Sequence, residues 1–257
     1  MEVIRVRLID KNSAGCELAP IEILKKFKEI HTKENGEMLS KEKIRYEEIH
    51  VDLENLREAD HLILENSKEV FERNFKVFFV GGDNSINYSI VKAFTITEKN
   101  PLIINFDAHT GCSINPSRDL NWMKRVIDEE ISGRIFLNLG SREIEELDFM
   151  KRNHILNIGI ELLLEDIHGI CDLIMERARV SSNFFLTIDI DVLDPSFAPG
   201  VSSVVPGGMS SRQLLYIIKR LIKLKNFKGV SLTGINPAKD VNDITTKLGA
   251  RILAELM

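Results

Sequence analysis

Eight short apolar runs recur along the 257-residue chain, and longer segments between them bring an apolar residue back every three or four positions. The first run, Val3–Leu8, alternates apolar and charged residues as a half-buried strand does. The others lie at Tyr46–Val51, Lys76–Val80, Leu102–Phe106, Arg134–Leu139, Ile155–Ile158, Phe184–Ile188 and Gly229–Leu232. Several are almost wholly apolar (VFFV, LIINF, FFLTI), the pattern of parallel strands covered on both faces. Leu56, Ala59, Leu62, Ile63, Val70 and Phe71 keep a helical period within Leu53–Phe75, and Ile244, Leu248, Ile252, Leu253 and Leu256 do so within Val241–Met257. Ser210 followed three residues later by Gln213 predicts a capping box at the start of another helix, whose apolar face runs from Leu214 to Ile222. The polar stretch 31–45 reads as a surface loop. Repeated strand–helix units predict a parallel sheet with helices packed on it. An open three-layer αβα sandwich and a closed (β/α)8 barrel both satisfy the pattern. No repeat or Pro/Gly/Ser-rich linker divides the chain, so one domain over residues 1–257 is expected.

Composition narrows the function classes. Lys and Arg total 34 against 39 Asp and Glu, a formal net charge of −5. A mildly acidic, mixed-charge chain lacks the basic footprint that nucleic acid or an anionic membrane requires. The three cysteines, Cys16, Cys112 and Cys171, form no CxxC pair, which argues against a disulfide framework or a zinc knuckle. The N-terminus lacks the apolar core of a secretory leader, and no run approaches a membrane span, so a cytoplasmic location is expected.

In both architectures, chemistry belongs at the C-terminal ends of the strands. Four of those ends carry unusual sequence: GGDNS (Gly81–Ser85), DAHTGCS (Asp107–Ser113), DIDVLDP (Asp189–Pro195) and GINP (Gly234–Pro237). Residues two apart on an extended chain point the same way, so Asp107 with His109, and Asp189 with Asp191, can each aim two ligands at one point. Three carboxylates and an imidazole gathered at a sheet edge repel unless a cation joins them. Such an O/N donor set suits Mn²⁺ or Zn²⁺. A nucleotide-binding reading fails, because GGDNS is neither GxGxxG nor a P-loop.

DAHT at Asp107–Thr110, DIDVLDPSFAPG at Asp189–Gly200, PGG at Pro206–Gly208 and NP at Asn236–Pro237 resemble the motifs of the ureohydrolase superfamily, which includes arginases, agmatinases and formimidoylglutamases. Motif order agrees from about Lys76 to the C-terminus. The resemblance implies α/β architecture, a three-layer αβα sandwich on a parallel eight-stranded sheet, and so favours the sandwich over the barrel. It implies two Mn²⁺ ions that activate a water. Asp107 and Asp189 match the carboxylates shared by both ions, and His109 and Asp191 match the remaining ligands of one ion. It also implies a small-molecule substrate and a homo-oligomer, a trimer or hexamer.

The departures from the family pattern are equally specific. Asn84 stands where GGDHS has histidine, and Gly111 stands where DAHxD has its second aspartate. The second ion would keep only the shared carboxylates, the Asn84 amide, and at most a thiolate from neighbouring Cys112. The stretch Ser117–Arg125 has no proton-transferring histidine, and Trp122 within it is expected to anchor a helix. Gly234 replaces the glutamate that would grip a guanidinium, beside Asn236 in the substrate-binding motif. Asp83 is the remaining candidate for a base, with bracing of the GGDN turn as its other role.

The expectation is therefore one Mn²⁺ (or Zn²⁺) per chain and hydrolysis of a C–N bond in a linear amidine or related amide, not arginine or agmatine. The alternative is a non-catalytic member: a regulatory subunit, a partner of an active paralogue, or a small-molecule binding protein. Asn84→His with Gly111→Asp is expected to rebuild the second ion's site, provided Gly111 does not need a positive φ. Gly234→Glu is expected to supply the missing anchor.

Overall fold

In the computed structural model, which describes residues 1–73, 76–115 and 117–257, all eight apolar runs become strands. They are β1 (Glu2–Val6), β2 (Arg45–Ile49), β3 (Val77–Gly81), β4 (Pro101–Phe106), β5 (Phe136–Leu139), β6 (Leu156–Ile158), β7 (Asn183–Asp189) and β8 (Phe227–Thr233). They form one sheet in the order β2-β1-β3-β8-β7-β4-β5-β6, and every pairing is parallel. The sheet is open, with β2 and β6 as its edges, so the barrel is excluded.

The helices among the described residues are α1 (Ala19–Glu29), α2 (Leu56–Arg73), α3 (Asn87–Thr97), α4 (Trp122–Ile127), α5 (Leu147–Arg152), α6 (Ile160–Glu165), α7 (Ile167–Val180), α8 (Ser211–Leu221) and α9 (Ile244–Leu256). The anticipated helix Leu53–Phe75 is α2, and Phe75 lies outside the described residues. Ser210 and Gln213 form the expected capping box at the start of α8. Residues 31–44 are a loop pinned by an isolated Thr32–Met38 bridge and holding a 3₁₀ turn at Lys41–Lys43, while Arg45 already belongs to β2. No helix among the described residues is long and apolar enough to cross a membrane.

Alternation along each strand divides the interior into two layers. Phe78, Val80, Phe184, Leu186 and Ile188 join the core under α1, α6, α7, α8 and α9. Val77, Phe79 and Phe185 join the core under α2, α3, α4 and α5. At the centre of the second core, the Phe185 ring meets Phe71, Phe79 and Phe94 at centroid distances of 5.4, 6.2 and 5.5 Å. A polar row crosses the same sheet at one level. Thr187 Oγ1 donates to Asn105 Oδ1 (2.6 Å), Asn105 Nδ2 to Asn138 Oδ1 (2.6 Å), and Asn138 Nδ2 to Asn157 Oδ1 (2.7 Å). These residues are register partners across β7, β4, β5 and β6, so the row locks that register.

Chain order places the site. The connection from β3 to β4 leaps over the places later filled by β8 and β7. The C-terminal ends of β3, β8, β7 and β4 are therefore neighbours, and these are the four strands that carry the unusual sequences. A crevice where the chain reverses its winding is the usual ligand site of such sheets.

Phe185→Ala is expected to destabilise the protein by about 3–5 kcal/mol through cavity formation. Ser210→Ala is expected to cost about 1 kcal/mol through loss of the cap. Urea denaturation of both variants checks the ranking, and a Phe185→Ala loss below that of Ser210→Ala would contradict it.

Candidate metal centre

Asp107 and His109 leave β4 on the same side, and the turn is held from within: the His109 N–H donates to Asp107 Oδ1 at 2.7 Å. Asp191 lies in the 3₁₀ turn Ile190–Val192 that follows β7. Its N–H donates to Asp189 Oδ1 at 3.0 Å, and its own Oδ1 accepts from the Ala108 N–H at 3.1 Å. The two turns are thus bonded to each other across adjacent strands.

The donor atoms of Asp107, His109 and Asp191 lie within 4.8 Å of one another. His109 Nδ1 is 3.0 Å from Asp191 Oδ2 and 3.4 Å from Asp107 Oδ1, while Nε2 is 3.2 Å from Glu143 Oε2. Asp189 stands beside this group rather than within it and lines a narrow cleft with Asp83, Asp119, Asp191, Ser13, Cys16 and Ser202. One imidazole nitrogen shared between two carboxylates is the arrangement a divalent ion would take over, and the oxygen and nitrogen donors suit Mn²⁺ or Zn²⁺.

Electrostatics follows from crowding. Burial, then the Asp191 charge, pushes Asp107 above the usual carboxylate range, and burial with Asp191, Asp107 and Asp119 pushes Asp189 well above it. Burial opposes ionisation of Asp191 too, but the hydrogen bond and charge of His109 outweigh it and hold Asp191 below its ordinary value. Burial alone would lower His109; hydrogen bonds to Asp107 and Asp191 instead raise it to about 12.

Asp119, in the loop before α4, is a site residue that sequence reasoning missed. Its Oδ1 accepts from the Asn84 N–H at 2.8 Å, and burial together with the charges of Asp83, Asp107 and Asp191 pushes its pKa well up. No motif marks it. The available signal was its place, in the short link between DAHTG and the apolar start of α4.

Several expected residues do other work. Asn84 turns its amide nitrogen, not its oxygen, to the site: Nδ2 donates to Asp107 Oδ2 at 2.7 Å. Its Oδ1 accepts from Asn87 Nδ2 and from Thr233 Oγ1. Asn84 therefore offers the second ion a donor in place of a ligand. Asp83 accepts from the Asp10 N–H and from the Ser85 N–H and Oγ, which makes it a brace of the GGDN turn. Asn236 is fully buried, accepting from the Ala238 N–H and donating to the Ala14 carbonyl and Ser202 Oγ. Through these bonds it ties together the loops at Ala14, Ser202 and Ala238. Cys112 is buried in the core, where desolvation pushes its thiol up to about 12, and it is not among the converging donors. Trp122 is wholly buried against Phe136 at the start of α4, which makes it the expected helix anchor.

The family model for the arginase family matches residues 6–257. The chain belongs to the arginase family. Formimidoylglutamase of Bacillus subtilis (strain 168) is 31% identical over 186 residues, 68% of this chain and 58% of that protein. Agmatinase of Chromobacterium violaceum is 28% identical over 206 residues, 76% of this chain and 61% of that one. Each match thus spans less than two thirds of the relative's length. The crystal structure of the B. subtilis formimidoylglutamase superimposes with a TM-score of 0.90 at 25% identity, covering 99% of this chain and 85% of that one. Proclavaminate amidino hydrolase from Streptomyces clavuligerus shares the fold, with a TM-score of 0.88 at 23% identity over 99% of this chain and 89% of that one.

Restoring the arginase-family motif residues here meets steric resistance. Gly111 has φ +66°, and a Cβ there would stand 3.0 Å from Trp122 Nε1. Gly234 has φ +80°, and a Cβ there would stand 2.0 Å from Asp189 Oδ1. The expectation that Gly234→Glu adds a guanidinium anchor is therefore corrected: any side chain at 234 strikes Asp189. Gly111→Asp is expected to cost about 1 kcal/mol or more. Asn84→His/Gly111→Asp is expected to gain less Mn²⁺ than ligand count alone implies, because Asn87 and Trp122 hold the old arrangement. Thermal denaturation with calorimetric Mn²⁺ titration checks both; a double variant as stable as the parent and holding a second tight ion would contradict the steric account.

Proposed function

We propose that this arginase-family chain holds one Mn²⁺ (Zn²⁺ suits the same donors) through Asp107, His109 and Asp191, with Asp189 adjoining, and hydrolyses a C–N bond of a linear amidine other than arginine or agmatine. The observation that carries the reading is the convergence of the Asp107, His109 and Asp191 donor atoms within 4.8 Å at the carboxyl ends of β4 and β7. Membership of the arginase family and the likeness to formimidoylglutamase support the reaction class.

A bound divalent ion would supply Lewis acidity and lower the pKa of a water. Every other contribution comes from the chain. The Ala108 and Asp191 N–H groups hold the carboxylates of Asp191 and Asp189 in place. Asp119, kept protonated more readily than an exposed carboxyl, is placed on the cleft wall to hand over or take up a proton at its carboxyl oxygen. Gly234 adds no side chain to the cleft, so position 234 offers a guanidinium no carboxylate of its own beside that of Asp189.

Elemental analysis after Mn²⁺ loading and removal of loose metal is expected to find about one ion per chain; two tight ions, or none, would sink the proposal. Affinity is expected to rise with pH. His109 coordinates only after losing the proton that Asp107 and Asp191 hold on it, so protons compete with the ion. A titration series showing constant or falling Mn²⁺ affinity between mildly acidic and mildly alkaline pH would contradict this. The loaded protein is expected to release no urea from arginine or agmatine and to turn over a member of a linear-amidine panel.

A second reading has one observation in its favour. The Asn84 amide N–H bonded to Asp107 occupies the side where a second ion would work, as suits a member that binds a small molecule without turning it over. One bound ion with no turnover across the panel would favour that reading.

A further inference from the structure

Arg142 follows β5 by way of Gly140, which has a positive φ of +88°. Its guanidinium reaches five backbone carbonyls. Nε donates to the carbonyls of Val205 (3.2 Å) and Pro206 (3.1 Å), and Nη1 donates to that of Val192 (3.3 Å). Nη2 donates to the carbonyls of Asp191 (2.7 Å) and Leu193 (3.3 Å), and also to that of Val205. Among the described residues no carboxylate pairs with it. Its backbone is engaged as well: the N–H groups of Arg142 and Glu143 donate to the Ala108 carbonyl at 2.9 and 3.1 Å. Ala108 separates Asp107 from His109. A single residue therefore holds the backbone of both candidate ligand turns, one through its amide and the other through its side chain.

We propose that Arg142 is the positioning residue of this site, setting the Asp191 turn against the Asp107–His109 turn so that their donors meet at one point. The inference rests on the metal-site reading above. The planar fork is what the task needs, because five N–H groups in one plane reach carbonyls on two segments at once. A lysine carries the charge on three donors at a single point and cannot span them. The loop has independent pins. Asp194 accepts from the Ser196 N–H and the Gly207 N–H at 2.9 and 2.7 Å, and the Met209 N–H donates to the Val192 carbonyl at 3.0 Å. Removing the guanidinium is therefore expected to loosen the ligand turn without unfolding the protein.

The test is Mn²⁺ binding by calorimetry on the full chain, comparing the parent, Arg142→Ala and Arg142→Lys, with melting temperatures measured in EDTA. Loss of an outer partner of a metal ligand typically costs about 10–100-fold in affinity, and that fall is expected for both variants. Millimolar methylguanidinium is expected to restore part of the affinity of Arg142→Ala, and methylammonium is expected to restore none. A parent that binds no Mn²⁺ overturns the metal-site reading itself. A parent that binds while Arg142→Ala binds equally well overturns the assignment of Arg142 alone. So does a loss of affinity that guanidinium cannot rescue, or failure of both variants to fold, since either makes Arg142 a residue of the scaffold.

Discussion

Like charges crowded at one edge of the sheet are what the rest of this molecule is arranged around. Asp83, Asp107, Asp119, Asp189 and Asp191 act on one another there, and burial makes each ionised form costly. The chain answers with several kinds of compensation. Backbone N–H groups serve Asp83, Asp189 and Asp191, the imidazolium of His109 serves Asp107 and Asp191, and the Asn84 amide serves the remaining oxygen of Asp107. A divalent ion would be a further means to the same end. An apolar replacement of any one donor would leave a carboxylate buried without its partner, which is costlier than the net worth of the bond.

Holding those groups together depends on packing far below them. Four neighbouring strands bring the turns to one place, and rings on one face of the sheet, Phe79 and Phe185 against Phe71 and Phe94, fix the spacing between strands and helices. At the carboxyl edge the constraint changes from filling space to leaving it. Gly234 brings its backbone against the Asp189 carboxylate, where a methyl group would not fit. The bare position thus has a local steric cause, quite apart from the choice of substrate.

Much of this was legible in the sequence, for physical reasons that differ by residue. The strands could be read because runs such as VFFV and LIINF are apolar enough to need cover on both faces, and their ends lie within two residues of the observed bounds. Asp107 and His109 could be read as partners from their i, i+2 spacing past a strand end, whereas the same spacing paired Asp191 with Asp189, which stands beside the cluster. Asp119 and Arg142 could not. Each acts through contacts set by loop geometry, and an isolated aspartate or arginine in a polar stretch carries no period. The Asn84 amide shows a third limit: sequence gives the side chain, but which end faces the site is decided by Asn87 and Thr233 behind it.

The polar row from Thr187 to Asn157 has a sense of direction, since each side chain donates to the next and never receives from it. The last amide also accepts from Ser141, immediately before Arg142. Exchanging either inner member, Asn105 or Asn138, for an apolar residue would strand a donor on one flank and an acceptor on the other. Exchanging the whole row at once would leave only the Ser141 hydroxyl without its acceptor. The four positions are therefore coupled in energy: a single apolar step costs more than its share of a concerted change. The order of this half of the sheet is thus written in bonds between neighbours that lie apart from the candidate ligands.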